Sequence, residues 1–229
     1  MDADAVRRYS RQMLLPQVGP AAQKKFMASR VLVVGAGGLG CPIILYLAGA
    51  GIGCLGIMDF DDVEISNLHR QIAHTAERAG MNKAESAAMS ARALNPTIDV
   101  QVIAEKFTSA TGASLVSRFD IVVDATDNPG TRYMINDACV LGGRPLVSGA
   151  ALGMNGQLSV YSHAGGPCYR CVFPEPPPRS SFVSCSDGGV LGPVPGLIAA
   201  QQALEVLKIV GEFGTPLVQR CAALSFSIL

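Results

Sequence analysis

Residues 31–40 read Val-Leu-Val-Val-Gly-Ala-Gly-Gly-Leu-Gly, a β-branched apolar run followed at once by G-x-G-x-x-G. Glycines at 35 and 37 allow a tight turn and let backbone N–H groups approach a phosphate, and a helix N-terminus behind them adds a favourable dipole. The pattern carries weight only between a strand and a helix, and both are expected here, at about 31–35 and 39–50. Asp59, 24 residues after Gly35 and at the end of the next expected strand, is placed to hydrogen-bond a ribose hydroxyl. A tight βα turn without a ligand is the plainer alternative. Glycines and acid together favour a bound nucleotide without saying which one.

Beyond this loop, short Val/Ile runs alternate with longer Ala-rich stretches, the pattern of βαβ units. Strands are expected at about 31–35, 54–59, 98–103, 120–124, 145–149 and 157–161, and helices at about 39–50, 77–94, 109–117, 129–142 and 193–211. In the second helix Ala84, Ala87, Ala88, Ala91 and Leu94 form an apolar stripe, which Pro96 ends. Ile121–Val123 is apolar throughout, as for a central strand buried on both faces. The expected fold is α/β, a Rossmann-like, open, mostly parallel sheet with helices on both faces. One domain is expected over 1–229, opened by a helical arm at 1–29 and interrupted by a Pro/Gly-rich crossover loop at about 163–195. That loop holds 7 of the 14 prolines.

Charge narrows the partners. Basic and acidic residues number 18 each, so nothing suggests a nucleic-acid binder that works by neutralising phosphates. The balance hides a gradient, because residues 1–30 hold six basic and two acidic residues. The longest uninterrupted apolar runs, such as Ile43–Ala48, are far shorter than the roughly 20 residues of a bilayer span. The opening MDADAVRRYSRQ lacks the apolar core of a secretory signal. No membrane association is expected, and the cytosol is the expected compartment.

Arg70, in the run Ser66-Asn67-Leu68-His69-Arg70-Gln71, and Lys83, at the head of a helix, suit an enzyme that must offset charge on a departing pyrophosphate. Taken singly, each could be a solvated surface cation. At the end of the fourth expected strand come Asp124-Ala-Thr-Asp127-Asn128, an acidic pair expected to face the glycine-loop crevice. Asp127 suits Mg²⁺, which takes one or two carboxylates plus phosphate oxygens; a helix cap at Asp127 or Asn128 is the plainer, compatible role, and the strand-end position favours the metal.

Seven cysteines, an odd number in an expected cytosolic chain, argue against a disulfide framework. Cys41, Cys54 and Cys139 fall in or beside core elements and read as small hydrophobes. Cys168 and Cys171 have knuckle spacing but supply half of a four-ligand zinc site. Cys185, in Ser-Cys-Ser-Asp-Gly-Gly, suits an accessible thiol. His74 and His163 carry no partner pattern and are assigned nothing.

RYSRQ at 8–12, GAGGLG at 35–40, DFDDVEISNLHRQ at 59–71, Lys83, DATDN at 124–128, CYRC at 168–171 and FPEPPP with SCSDGGVLG at 173–192 together resemble the MoeB/ThiF type of ubiquitin-activating-like adenylyltransferase. The likeness is greatest to the eukaryotic branch that activates molybdopterin synthase and also serves the ubiquitin-related modifier of tRNA thiolation.

The resemblance implies that ATP activates the C-terminal glycine of a ubiquitin-like sulfur carrier ending in Gly-Gly, giving an acyl-adenylate and pyrophosphate. By that likeness Gly38 and Asp59 contact the nucleotide, and Ser66, Asn67, Leu68, His69 and Arg70 line its phosphate and ribose side. Arg70 and Lys83 stabilise phosphate charge, Asp127 holds Mg²⁺, and Asn128 sits beside the nucleotide. It also implies a homodimer in which Arg11 reaches the partner's site, a Cys185 thiol that takes the acyl group, and a sulfur donor such as a cysteine desulfurase. The family's zinc site needs a second C-x-x-C, and the family's last strands and rhodanese-like domain are expected to be missing from these 229 residues. A dinucleotide-dependent oxidoreductase on the same glycine loop, and a non-catalytic dimerising or carrier-binding module, are the competing expectations.

Overall fold

In a computed structural model that describes residues 1–176, 178 and 188–225, seven strands form one sheet in the order β3-β2-β1-β4-β5-β6-β7. They are β1 (Arg30–Val34), β2 (Cys54–Met58), β3 (Asp99–Ile103), β4 (Ile121–Asp124), β5 (Leu146–Leu152), β6 (Asn155–Tyr161) and β7 (Cys221–Ser225). The first five are parallel, with Val31 opposite Leu55 on one side and Ile121 on the other. β5–β6 is an antiparallel hairpin, and β7 adds antiparallel to β6. The expected mostly parallel sheet is present. β7 lies in a tail in which no strand was expected.

Alternation of side chains divides the core. Val31 and Val33 of β1 face one side, packing with α3 (Gly40–Ala50), α4 (Lys83–Leu94) and α8 (Pro193–Gly211). Leu32 and Val34 face the other, with α5 (Ser109–Val116) and α6 (Pro129–Gly142). Helices therefore cover both faces, which is why the central strands are apolar except at their ends, where Arg30 opens β1 and Asp124 closes β4. Helix α8 meets the length and composition of a membrane span, unlike the shorter runs noted from sequence. Its Ile198, Ala199, Gln202, Ala203, Glu205 and Val206 are buried in the protein.

The basic arm is two helices, α1 (Ala3–Met13) and α2 (Gly19–Ala28), docked on the sheet's helical layer. Tyr9 is buried, and its hydroxyl accepts from Asn95 at 2.9 Å. Gln12 and Gln23 both donate to the carbonyl of Ala50. The helix expected from residue 77 begins only at Lys83, because Gly80 has φ +83° and Asn82 caps the helix by accepting from the N–H of Ala84.

The chain reverses direction across the sheet between β1, which pairs with β2, and β4, which pairs with β1 on the opposite side. Loops leaving the carboxyl ends of β1 and β4 diverge there and open a crevice, the usual ligand position in such sheets.

Candidate active site

A cavity of about 790 Å³ occupies that crevice. Its floor is the glycine loop. Gly35 has φ +99°, and a Cβ there would lie 2.7 Å from the carbonyl oxygen of Ala125. At Gly40 a Cβ would fall 1.9 Å from the oxygen of Gly35. Only glycine fits either position, so the loop runs tightly into α3 and presents that helix's N-terminus to the cavity. Gly37 and Gly38 line the cavity itself, where a Cβ meets nothing nearer than 3.4 Å. The steric demand for glycine thus falls on 35 and 40, rather than on 35 and 37.

Asp59 lines the same cavity from the end of β2. Its carboxylate accepts from the N–H of Ala36 at 2.7 Å and of Asp61 at 2.9 Å. Burial pushes its pKa above the ordinary carboxylate range, opposed by those two N–H groups and by Lys83. The residue expected for ribose alone also holds the loop, with lone pairs left over.

Lys83 and Arg70 reach the cavity together. Lys83, at the first turn of α4, is 7% exposed and pairs with Asp61 at 3.1 Å. Arg70 is aimed by its own segment, donating to Asn67 Oδ1 at 2.6 Å and to His69 Nε2 at 3.2 Å. His69 Nδ1 faces the carbonyl of Ser66 at 3.0 Å, so Nδ1 carries the proton and Nε2 accepts. Ser66, Asn67, Leu68 and His69 do not line the cavity. Ser66 and Asn67 both donate to Glu64, and Asn67 with His69 supports Arg70.

Only one of the two strand-end acids faces the crevice. Asp124 is fully buried and paired with Arg132, so its expected place at the ligand is corrected. Asp127 is exposed, lines the cavity, and makes no hydrogen bond or ion pair among the described residues. That free carboxylate fits a divalent cation shared with phosphate oxygens. Asn128 lines the cavity and caps α6, accepting from the N–H of Thr131 at 3.1 Å.

Arg11 is exposed in the last turn of α1 and does not line the cavity. Cys185 lies outside the described residues. The sulfurs of Cys168 and Cys171 are 3.5 Å apart at the start of α7 (Tyr169–Val172). No third ligand joins them: among the described residues no three of His, Cys, Asp and Glu are grouped to hold a metal. The pair fits half of a tetrahedral thiolate site and does not by itself fit a structural zinc. Cys41, Cys54 and Cys139 are buried, as expected.

Two residues given no role from sequence belong to this site. Gln71 lines the cavity while only 4% exposed. His74 is buried beneath the glycine loop, its Nε2 2.9 Å from the carbonyl of Ala36. Neither type of residue signals such a place by spacing alone.

A glycine loop at a helix N-terminus, a strand-end acid beneath it and two cations over it, all at a sheet's topological switch point, define an open α/β protein of the nucleotide-binding class. The chain belongs to the ThiF family, whose model matches residues 9–227. It is 54% identical over 220 residues to "Adenylyltransferase and sulfurtransferase MOCS3" of Arabidopsis thaliana, covering 96% of this chain and 47% of that protein. The Sus scrofa protein of the same name is 52% identical over 214 residues, 93% of this chain and 47% of that one. The chain spans about half the length of the curated relatives it matches. Among solved structures, E. coli MccB with ATP superposes with a TM-score of 0.83 at 25% identity, covering 95% of this chain and 67% of that one.

Proposed function

We propose that this chain uses ATP to adenylate the C-terminal glycine of a ubiquitin-like sulfur carrier. One observation carries the reading: the glycine loop, Arg70, Lys83 and Asp127 share one cavity that is also lined from β5, β6 and β7, by Leu152, Gln157 and Leu224 as well as Ala150, Gly156 and Ala223. The first set suits a triphosphate. The second, along the strands, is where an extended Gly-Gly tail would lie. In the reaction a carboxylate oxygen of the carrier attacks the α-phosphorus, a P–O bond forms, and the bond to pyrophosphate breaks. Arg70 and Lys83 offset the charge that grows on the leaving pyrophosphate, and the N-terminus of α3 favours the phosphates. Asp59 takes the ribose side. Mg²⁺, when bound, would neutralise phosphate oxygens, and Asp127, whose exposed carboxylate lines the cavity, would hold it.

The later step rests on the sequence resemblance. There the Cys185 thiolate attacks the acyl carbon of the adenylate, a C–S bond forms, and AMP departs with the electrons of the broken C–O bond. The outer sulfur of a persulfide donor, such as a cysteine desulfurase, then attacks that acyl carbon and displaces the Cys185 thiolate, and a thiol that takes the donor's inner sulfur into a disulfide releases the carrier thiocarboxylate. The same reading assigns a homodimer in which the exposed Arg11 serves the neighbouring site. It also assigns a cytosolic setting and a product used for molybdenum cofactor synthesis or tRNA wobble-uridine thiolation. The relatives bearing the adenylyltransferase name support it, as does the neighbour solved with ATP.

The adenylate is the species to trap. Incubation with ATP, carrier and hydroxylamine is expected to give the carrier hydroxamate and AMP. Tight NADH binding without ATP protection against thermal unfolding would instead support the oxidoreductase reading. Carrier binding with neither AMP nor hydroxamate would support the non-catalytic one.

A further inference from the structure

The Ala36 peptide groups, in the middle of the glycine loop, are held from both sides. The N–H donates to Asp59 at 2.7 Å, and the C=O meets His74 Nε2 at 2.9 Å and the Cys41 thiol at 3.2 Å. His74 ends a directed chain. Arg78, which can only donate, reaches Ser86 Oγ at 3.2 Å, and that oxygen lies 2.9 Å from His74 Nδ1. A carbonyl only accepts, so Nε2 carries the proton and Nδ1 accepts the hydroxyl of Ser86. Burial holds the imidazole's pKa below its ordinary value, with Lys83 and Arg78 acting in the same sense against the Ala36 bond. The ring is therefore neutral and locked in one tautomer.

His74 also stands four residues after Arg70, and its own N–H donates to the carbonyl of Gln71 at 3.1 Å. The Nε2–Ala36 bond thereby ties the loop beneath the phosphates to the segment that carries Arg70 and Gln71. Gln71 shows how closely the two meet: its Nε2 lies 3.6 Å from where a Gly37 Cβ would stand. The two peptide units that flank the Ala36 Cα are each held, one by its N–H and the next by its C=O, so neither turns freely and the loop need not be ordered when the nucleotide arrives. An apolar side chain would fill the same space without the cost of burying an imidazole.

We infer that His74 is a positioning residue, which fixes the glycine loop relative to Arg70 and so sets affinity for the triphosphate. The inference rests on the adenylation reading for its choice of ligand. Its test compares His74→Leu, which keeps bulk and removes the donor, with His74→Gln, whose amide N–H reaches toward the Ala36 carbonyl. Phe119→Leu, in the core on the other face of the sheet, serves as a control for lost stability alone. ATP affinity is measured with a fluorescent analogue on the full chain, urea unfolding reports stability, and pyrophosphate exchange supplies KM for ATP and for the carrier.

His74→Leu is expected to weaken ATP binding about 10-fold, the equivalent of one buried hydrogen bond, and to raise KM for ATP equally with KM for the carrier unchanged. His74→Gln is expected to stay within about 3-fold of the parent, and Phe119→Leu to bind ATP normally despite its lost stability. Unchanged binding in His74→Leu would overturn the inference. So would weakening in all three variants in proportion to their loss of stability. A parent chain that binds ATP but gives no carrier-dependent exchange would sink the adenylation reading while the binding comparison still decides the role of His74.

Discussion

Arg132 Nε lies 2.6 Å from Asp124 Oδ2 at the end of β4, and this contact gives two acids three residues apart opposite tasks. Asp124 also accepts from Ser148 at 2.8 Å and from the hydroxyl of Thr126 at 2.7 Å, and Arg132 continues to the carbonyls of Thr126 and Gly149. The network joins the β4 loop, α6 and β5. Asp124→Ala leaves a buried guanidinium unpaired and is expected to cost about 3–5 kcal/mol in urea unfolding. Asp127→Ala, three residues on and exposed, is expected to stay within about 0.5 kcal/mol.

Activity should divide the other way. Arg70→Ala and Asp127→Ala each remove charge stabilisation at the phosphates and are expected to lower the rate of adenylate formation at least about 100-fold. Stopped hydroxamate assays at saturating carrier check this, with urea midpoints showing that the variants stay folded.

Much of the site could be read from residue order. Gly35 and Gly40 announce the loop because their backbone has room for nothing else, and Asp59, Lys83 and Asp127 follow from strand and helix ends. Asp124 was misplaced because alternation along β4 does not reveal a buried arginine arriving from α6. His74 gave no signal, since its partners are a backbone carbonyl and a serine 12 residues away. The tail 221–225 pairs as a strand because β6 offers it an edge, a tertiary fact that its own half-exposed pattern does not carry.

The buried, neutral His74 predicts a pH dependence of stability. Its folded pKa is depressed, so its contribution is complete above the ordinary histidine value of 6.5 and is lost as pH falls through the lower folded value. The groups facing it are Cys41, Ser86, Arg78 and Lys83, with Asp59 across Ala36. Urea midpoints of the parent chain should fall more steeply below pH 6.5 than those of His74→Gln. Parallel curves for the two proteins would contradict the assignment.

The thiols should sort by environment. Burial pushes Cys41 and Cys139 up to about 12, which keeps both unreactive in the folded protein. At Cys168 partial burial acts upward but is outweighed by hydrogen bonds from the Cys171 backbone and thiol, the Arg170 backbone and Asn136, so its pKa falls below the ordinary value. Iodoacetamide at neutral pH, followed by peptide mass mapping, is expected to label Cys168 well before Cys41 or Cys139. Asn136→Ala should slow that labelling.

The central claim is that the cavity joins ATP to a carboxyl-terminal glycine. Exchange of labelled pyrophosphate into ATP, measured with a carrier ending in Gly-Gly and with the same carrier lacking its last glycine, tests it most directly. The account predicts exchange with the intact carrier and Mg²⁺, none with the shortened carrier, and none in Asp127→Ala. No exchange with the intact carrier, from protein that is folded and binds ATP, would contradict it.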